Sequence, residues 1–561
     1  MPVTIFVERT YCMKKFFILL LVSPSIVFAQ SKKKKLKLEK EANTAFENRL
    51  QQHIRYLASD SLEGRGTGTM GETLASQYII NQYQQLQLEP KGTNGYLQNF
   101  DIDEGKQANA ATTFLIVNNS KAILQKDFFA LAFSANATVK GSAAVALNQA
   151  SNPWFKDLKD VLEENQTNPH FDIEDFIKKE ADKVAGKKAT ALILFNTSNI
   201  TDNVQFNKND KSALTKIPVI YLTKEGYKKY FSDETATQNI QLSVSLSQKI
   251  RKSKNVIAFI NNNAATTVII GAHYDHLGYG EDKNALDTGH VIHNGADDNA
   301  SGTAAVIELA RMLKNSSPKN NNYLFINFSG EELGLLGSKY WLEHPTTNIT
   351  ANYMINMDMV GRYDTTHKLT VGGYGTSPFW GNLFSTTTDK NLLIKFDSSG
   401  SGPSDHEAFY RKDIPVLFFF TGSHPDYHKA TDDWNKINYA GEREIVQYIY
   451  KLINATDAKG KLAFTKTREQ QMSRSTKFTV SLGVLPDYGF TGTGVRIDGV
   501  SAGKLAEKLG LQAGDILLQL GEYKFVDVMS YMETLSKFKK GDKTKLRIKR
   551  KDAEKEFDIE F

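Results

Sequence analysis

A chain of 561 residues that is 40% hydrophobic and 11% aromatic can bury more than one core, since single domains usually stop growing below about 300 residues; two to four domains are expected. Its net charge of +6, from 69 basic and 63 acidic residues, is mild for this length. Part of it lies in the run KKKKLKLEK, where no aromatic residues interleave, so a solvated tail is expected there and no nucleic-acid stripe.

From Met13 the sequence reads MKKFFILLLVSPSIVFAQ. Lys14 and Lys15 precede an apolar stretch, Phe16 to Val22, and Val27-Phe28-Ala29 form a small-residue cleavage pattern, so residues 1–29 are expected to be a leader cut after Ala29. The single cysteine, Cys12, falls inside it. The cut chain then has no disulfide and relies on core size in an exported, periplasmic or extracellular bacterial setting. No later run reaches the ~18 apolar residues of a membrane helix.

Helical apolar spacing follows over 41–59 and 71–87, flanking the loop LEGRGTGTMG. That loop holds a G-x-G-x-x-G at 66–71, but the dinucleotide fingerprint follows a strand and this one follows a helix, so no nucleotide site is expected. Residues 30–110 form the first part of a host domain. Over 111–250 the texture changes to short β-like runs, GSAAVAL and IPVIYLT, around a polar helix, DIEDFIKKEADKVAGKKA, which marks an inserted module. The host resumes at KNVIAFI. Over 251–460 the strands TTVIIGA, NYLFINFS, NYMINMDM, HKLTVGG and IPVLFFFT alternate with amphipathic helices, one over 300–314. This alternation predicts a three-layer α/β/α domain with a mixed, largely parallel sheet. Beyond Lys461 the polar linker TKTREQQMSRSTK leads to a compact piece at 475–561.

Open α/β sheets gather their chemistry at the carboxyl ends of strands. Here those ends carry His273 and Asp275, Glu331 and Glu332, Asp358, and His428, with Asp297 and Asp298 just ahead of a helix. Carboxylates crowded into one cleft repel each other and resist desolvation, so divalent cations are expected to neutralise them. Imidazoles with carboxylates suit zinc, and the count exceeds what one ion needs. Two ions sharing one carboxylate would use two His, two Asp and one Glu, leaving a second Glu as a base.

The ordered motifs GAHYDH, GADDNASG, SGEELGLLGS, NMDMVGR and DYHKATDD resemble the M28 family of co-catalytic zinc aminopeptidases. The resemblance spans about 40–460 apart from the insert. It implies that His273 and Asp358 hold one zinc ion, Glu332 and His428 the other, and that Asp297 bridges both, followed by a cis peptide to Asp298. Glu331 would be the general base and Asp275 the carboxylate that fixes the His273 tautomer. Tyr427 matches a tyrosine that in some relatives hydrogen-bonds the developing oxyanion. His276 matches bacterial members without being a ligand, and His424 competes with His428 for the ligand place. Asp275, Asp298 and Asp405 also have a plain reading as caps of helices or turns.

The insert resembles a protease-associated (PA) domain in position and texture. The C-terminal piece, with VSLGVLPD, GVRIDGVSAGKLAEKLGLQAGDILLQLGEYKF and KGDKTKLRIKRK, resembles a PDZ domain, which implies capture of a peptide C-terminus by the SLGV loop and the adjacent strand edge. The reading is a secreted two-zinc aminopeptidase acting on peptide amino termini. Its rivals are a single-zinc glutaminyl cyclase on the same scaffold and a non-catalytic peptide-binding protein.

Overall fold

The computed structural model describes residues 1 and 24–561, apart from 167, 169–170, 282–283, 288, 317–318, 365–367, 468–479, 487–492, 501–502, 526–527 and 552. The expected signal stretch Met13 to Val22, with Cys12, lies outside the described residues, as do most of the linker and Asp487 of the VSLGVLPD motif. Ala29, the expected cleavage position, lies in the helix α1 (Pro24–Leu57). Among the described residues, no helix is long and apolar enough to cross a membrane.

Two compact units emerge, Leu97–Asn255 and the remainder. In the second, six strands carry the host sheet: β1 (Thr266–His273), β2 (Asn321–Phe328), β3 (Ala351–Met357), β4 (Leu369–Gly372), β5 (Ile394–Phe396) and β6 (Val416–Phe420). Their order is β2-β1-β3-β6-β4-β5, and beyond β2 the strand Leu246–Ile260 and then Glu89–Pro90 complete the edge. The central four, β2, β1, β3 and β6, run parallel, while β4 and Val256–Ile260 pair antiparallel to their neighbours. β2 is buried along its whole length and β1 and β3 along all but their first residue, as continuous apolar strands must be when helices cover both faces of a sheet. The five expected strands all form. Ile394–Phe396, too short to carry a periodic signal, and the antiparallel Val256–Ile260 are additions.

Helices α2 (Met70–Gln85), α3 (Gly302–Lys314) and α4 (Tyr439–Thr456) complete the scaffold. α3 starts two residues later than the spacing predicted, because Ala296–Ser301 forms a wider turn with non-helical backbone at Asp298 and Asn299. Glu308 on α3 is fully buried. Arg49 of α1 reaches it at 3.0 Å and Arg311 at 2.7 Å, tying α1 to α3. Burial opposes its ionisation, yet His53, Arg49 and Arg311 hold its pKa below the usual value.

Glu442 in the first turn of α4 is also fully buried, but neither carboxylate oxygen has a hydrogen-bond partner among the described protein groups. Burial, then Asp297 and Glu308, pushes its pKa well above the ordinary value. Below pH ~4.3 both folded and unfolded chains carry this group protonated. As pH rises past that value only the unfolded chain ionises freely, so stability falls until the folded-state pKa is reached. Glu442→Gln should therefore raise Tm at pH 7–8 with the gain vanishing near pH 4, read by calorimetry across that range; an equal gain at both ends would refute this account.

The unit Leu97–Asn255 begins and ends further out than 111 and 250, because Leu97–Ala108 pairs with the long strand Leu246–Ile260. It contains two four-stranded sheets, one antiparallel (Ser120–Lys121, Phe114–Val117, Gln238–Val244, Ala137–Ala143), the other mixed (Phe128–Ala130, Val219–Leu222, Ala191–Phe195, Pro153–Asp157). The polar stretch forms the helix Ile173–Gly186. The C-terminal residues build a six-stranded sheet from Val484–Pro486 to Ala553–Glu560 over a core of its own that includes Leu482, Ile497, Leu517, Leu546 and Ile548.

Candidate metal centre

The carboxyl ends of β1, β2, β3 and β6 place their following residues at one edge. His273 ends β1; its Nε2 is 3.4 Å from Asp298 Oδ1, 3.4 Å from Asp358 Oδ1 and 3.9 Å from Glu331 Oε2. His428, after β6, places Nε2 3.2 Å from Asp298 Oδ2 and 3.3 Å from Glu332 Oε2. The two oxygens of Asp298 thus face opposite ways, one toward each imidazole. Asp358 follows β3, and its Oδ1 is buried with no well-formed hydrogen bond among the described residues.

Here the structure corrects the sequence reading. Asp297 does not occupy the shared position. Its Oδ1 accepts from the Gly361 N–H at 2.7 Å and the Ser301 hydroxyl at 3.0 Å, and its Oδ2 faces His424 Nε2 at 3.2 Å. The cis peptide is likewise one residue on, between Asp298 and Asn299. Consecutive side chains on an extended or turning backbone point apart, so only one of two adjacent aspartates can face the cleft. Asp432 decides which: its Oδ2 accepts from the amides of both Asp297 and Asp298, at 2.8 and 3.1 Å, while Arg362 donates to its Oδ1 at 3.1 Å. Gly295 makes the approach feasible, at φ 56° with a Cβ there falling 2.1 Å from the Asp298 carbonyl oxygen.

Both central imidazoles are oriented by main-chain carbonyls. His273 Nδ1 donates to Asp275 O at 3.1 Å, and His428 Nδ1 to Asn284 O at 2.9 Å. A carbonyl only accepts, so Nδ1 carries the hydrogen and Nε2 is turned to the carboxylates. Asp275 was expected to act through its carboxylate; that group is 3.8 Å from His273 Nδ1, and instead accepts from Thr67 Oγ1 at 2.7 Å and the Glu331 amide at 3.3 Å. His276 donates Nδ1–H to Glu332 Oε1 at 2.8 Å. His424 Nε2 is set against Asp297, and His428 is the imidazole that lies beside Glu332 together with His276. The Tyr427 ring stacks on His428 at 3.8 Å.

The electrostatics follow from this crowding. Burial disfavours charge on His273, but Glu331, Asp358 and Asp298 outweigh it and hold its pKa well above 6.5; Glu332 and Asp298 do the same for His428. Burial opposes ionisation of Glu332, yet His428 and His276 hold it at about 2. Glu331 goes the other way: burial, with Asp358, Glu332 and Asp405 nearby, lifts it well above the usual range against the pull of His273. Burial also lifts Asp275 to about 7 and Asp405 to about 6. Enclosure and the surrounding carboxylates, Asp298 first, push the Tyr427 phenol far up.

Two donor groups could each hold a cation, His273 with Asp298 and Asp358, and His276 with Asp298 and Glu332; within each, the ligand atoms lie within 4.8 Å of one another. His428 Nε2 faces the same two carboxylates as the second group. Nitrogen and carboxylate donors in threes, sharing one aspartate, fit a pair of zinc ions. Thr67, Arg65, Asp432 and Arg362 were missed as part of this centre. The first acid of the TDD stretch and the GRGT loop were visible signals, but nothing local told that they converge here.

Residues 255–453 match the profile of Peptidase family M28, and 464–561 that of the PDZ domain. Aminopeptidase YwaD of Bacillus subtilis is 26% identical over 439 residues, covering 74% of this chain and 85% of that protein. An aminopeptidase of Pseudomonas aeruginosa is 28% identical over 192 residues, 33% of this chain and 32% of the relative. A solved zinc aminopeptidase from Bacillus subtilis aligns at 19% identity and a TM-score of 0.41, over 75% of this chain and 96% of that one. The likeness to peptidase family M28 is thus carried by residues 255–453, and the likeness to the PDZ domain by the C-terminal residues 464–561.

Proposed function

We propose that the chain is an exported aminopeptidase that uses two zinc ions to hydrolyse the amino-terminal peptide bond of peptides. The observation that carries this reading is the Asp298 carboxylate, one oxygen 3.4 Å from His273 and the other 3.2 Å from His428. His273 and Asp358 would hold one ion, Glu332 and His428 the other, and Asp298 both. When bound, such a pair lowers the pKa of water and polarises a carbonyl.

The chain's own groups supply the rest. Glu331 is beside this cluster without a partner imidazole as close as those of Glu332, so it is the acid free to take the proton of the attacking water and return it to the leaving amine. His276 fixes Glu332 through Oε1, and Asp275 fixes Glu331 through its amide. The Tyr427 phenol, held protonated by its surroundings, is available to donate to the oxyanion. The PDZ domain would take a peptide C-terminus at Ser481–Val484, where Gly483 at φ 78° turns the backbone ahead of the strand edge.

Elemental analysis should find two zinc ions per chain. Exhaustive chelation should abolish hydrolysis of leucine and alanine p-nitroanilides, and added zinc should restore it. Activity that survives complete metal removal would overturn the proposal; a single ion with cyclisation of glutaminyl peptides would favour the cyclase, and zinc binding with no turnover of either the non-catalytic reading.

A further inference from the structure

We infer that the loop Gly64–Thr67, in the GRGTG stretch, is a positioning clamp of the metal centre, with Thr67 and Arg65 as its working residues. The inference rests on the two-metal reading above.

Arg65 is fully buried. Its guanidinium donates to four main-chain carbonyls: Tyr274 O at 2.8 Å, Leu57 O at 2.5 Å, Asn294 O at 2.6 Å and Gly295 O at 2.9 Å. Tyr274 lies between His273 and Asp275, and Gly295 opens the turn that carries Asp298. One side chain therefore joins both ligand-bearing loops to the end of α1. A planar five-donor group suits this task, and a lysine could not reach all four acceptors. Burial lowers its pKa to about 10, opposed by Asp298, Asp275, Asp432 and Glu332, so it remains a cation among the site's acids.

The loop backbone adds to the hold. His276 N–H donates to Arg65 O at 3.1 Å and Gly278 N–H to Gly64 O at 3.0 Å. Gly64, at φ 67°, is so close that a Cβ would fall 2.4 Å from Gly278 O and 2.5 Å from His293 O. Thr67 completes the contact. Its hydroxyl donates to Asp275 Oδ2 at 2.7 Å, which leaves Oδ1 for the Glu331 amide at 3.3 Å. Thr67 thus acts through Asp275 on two partners, the carbonyl that orients His273 and the amide that places Glu331.

Arg65→Met would strand four buried carbonyls and endangers folding, so the test falls on Thr67. Thr67→Val keeps the shape and removes the hydroxyl; Thr67→Ser keeps the hydroxyl. Zinc affinity is measured on the full chain by competition with a chromogenic chelator, and kcat and KM on leucine p-nitroanilide. Outer partners of metal ligands typically contribute 10–100-fold. Thr67→Val should weaken one of the two zinc ions by about that factor and lower kcat with KM little changed, and Thr67→Ser should restore both. Unchanged zinc affinity and kcat in Thr67→Val, or failure of Thr67→Ser to restore them, overturns the clamp. If the wild-type chain binds zinc but hydrolyses nothing, the aminopeptidase reading fails while the zinc comparison between the variants still decides on Thr67.

Discussion

Glu331→Gln is expected to keep both zinc ions and to lose between about 10² and 10⁴ in kcat, the range of a general acid–base group. The pair Glu331 and Glu332 makes the reason concrete, because the proposed mechanism assigns these neighbouring acids opposite tasks. Glu332 has both oxygens engaged, by His276 at 2.8 Å and His428 at 3.3 Å, and is held ionised. The nearest imidazole nitrogen to the Glu331 carboxylate is 3.9 Å away, and burial among other acids raises its proton affinity. A ligand must be ionised, whereas a base must be able to accept a proton, and these environments separate the two. Glutamine is isosteric and leaves the Glu331 amide on Asp275. Zinc content by elemental analysis, together with single-turnover hydrolysis, checks the result. Loss of an ion in this variant would make Glu331 a ligand, and normal turnover would remove it from the chemistry.

Much of the scaffold was legible in the chain because parallel strands buried on both faces read as continuous apolar runs. TTVIIGA and NYLFINFS could hardly be anything else, and their ends delivered His273 and Glu331 to a common edge. The short strand Ile394–Phe396 was not legible, since three residues carry no periodicity. Nor was the outer extent of the insert, set by pairing between Leu97–Ala108 and Leu246–Ile260 across more than a hundred residues of sequence. At the site, residue types were readable but side-chain direction was not. Asp297 and Asp298 are chemically identical, and the choice between them rests on the distant Asp432 carboxylate capturing both amides. Asp275 shows the same limit: its main-chain oxygen, not the expected carboxylate, meets His273.

That choice between adjacent aspartates has a measurable consequence. Asp298→Asn should cost more than about 100-fold in kcat/KM, beyond the upper end for outer partners of metal ligands, and should lower zinc content below two per chain. Both of its oxygens face imidazoles, so replacing one by an NH2 group removes a donor atom from one ion and charge from both. Asp297→Asn should be milder, within about 10–100-fold, with two zinc ions retained. An asparagine at 297 still offers one oxygen to the Gly361 amide and the Ser301 hydroxyl, contacts that shape the turn. Side-by-side zinc analysis and kinetics of the two variants give a ranking with a definite sign. If Asp297→Asn proved the more damaging and shed an ion while Asp298→Asn kept both, the shared carboxylate would be Asp297, and the turn at 296–301 would have to face the cleft the other way.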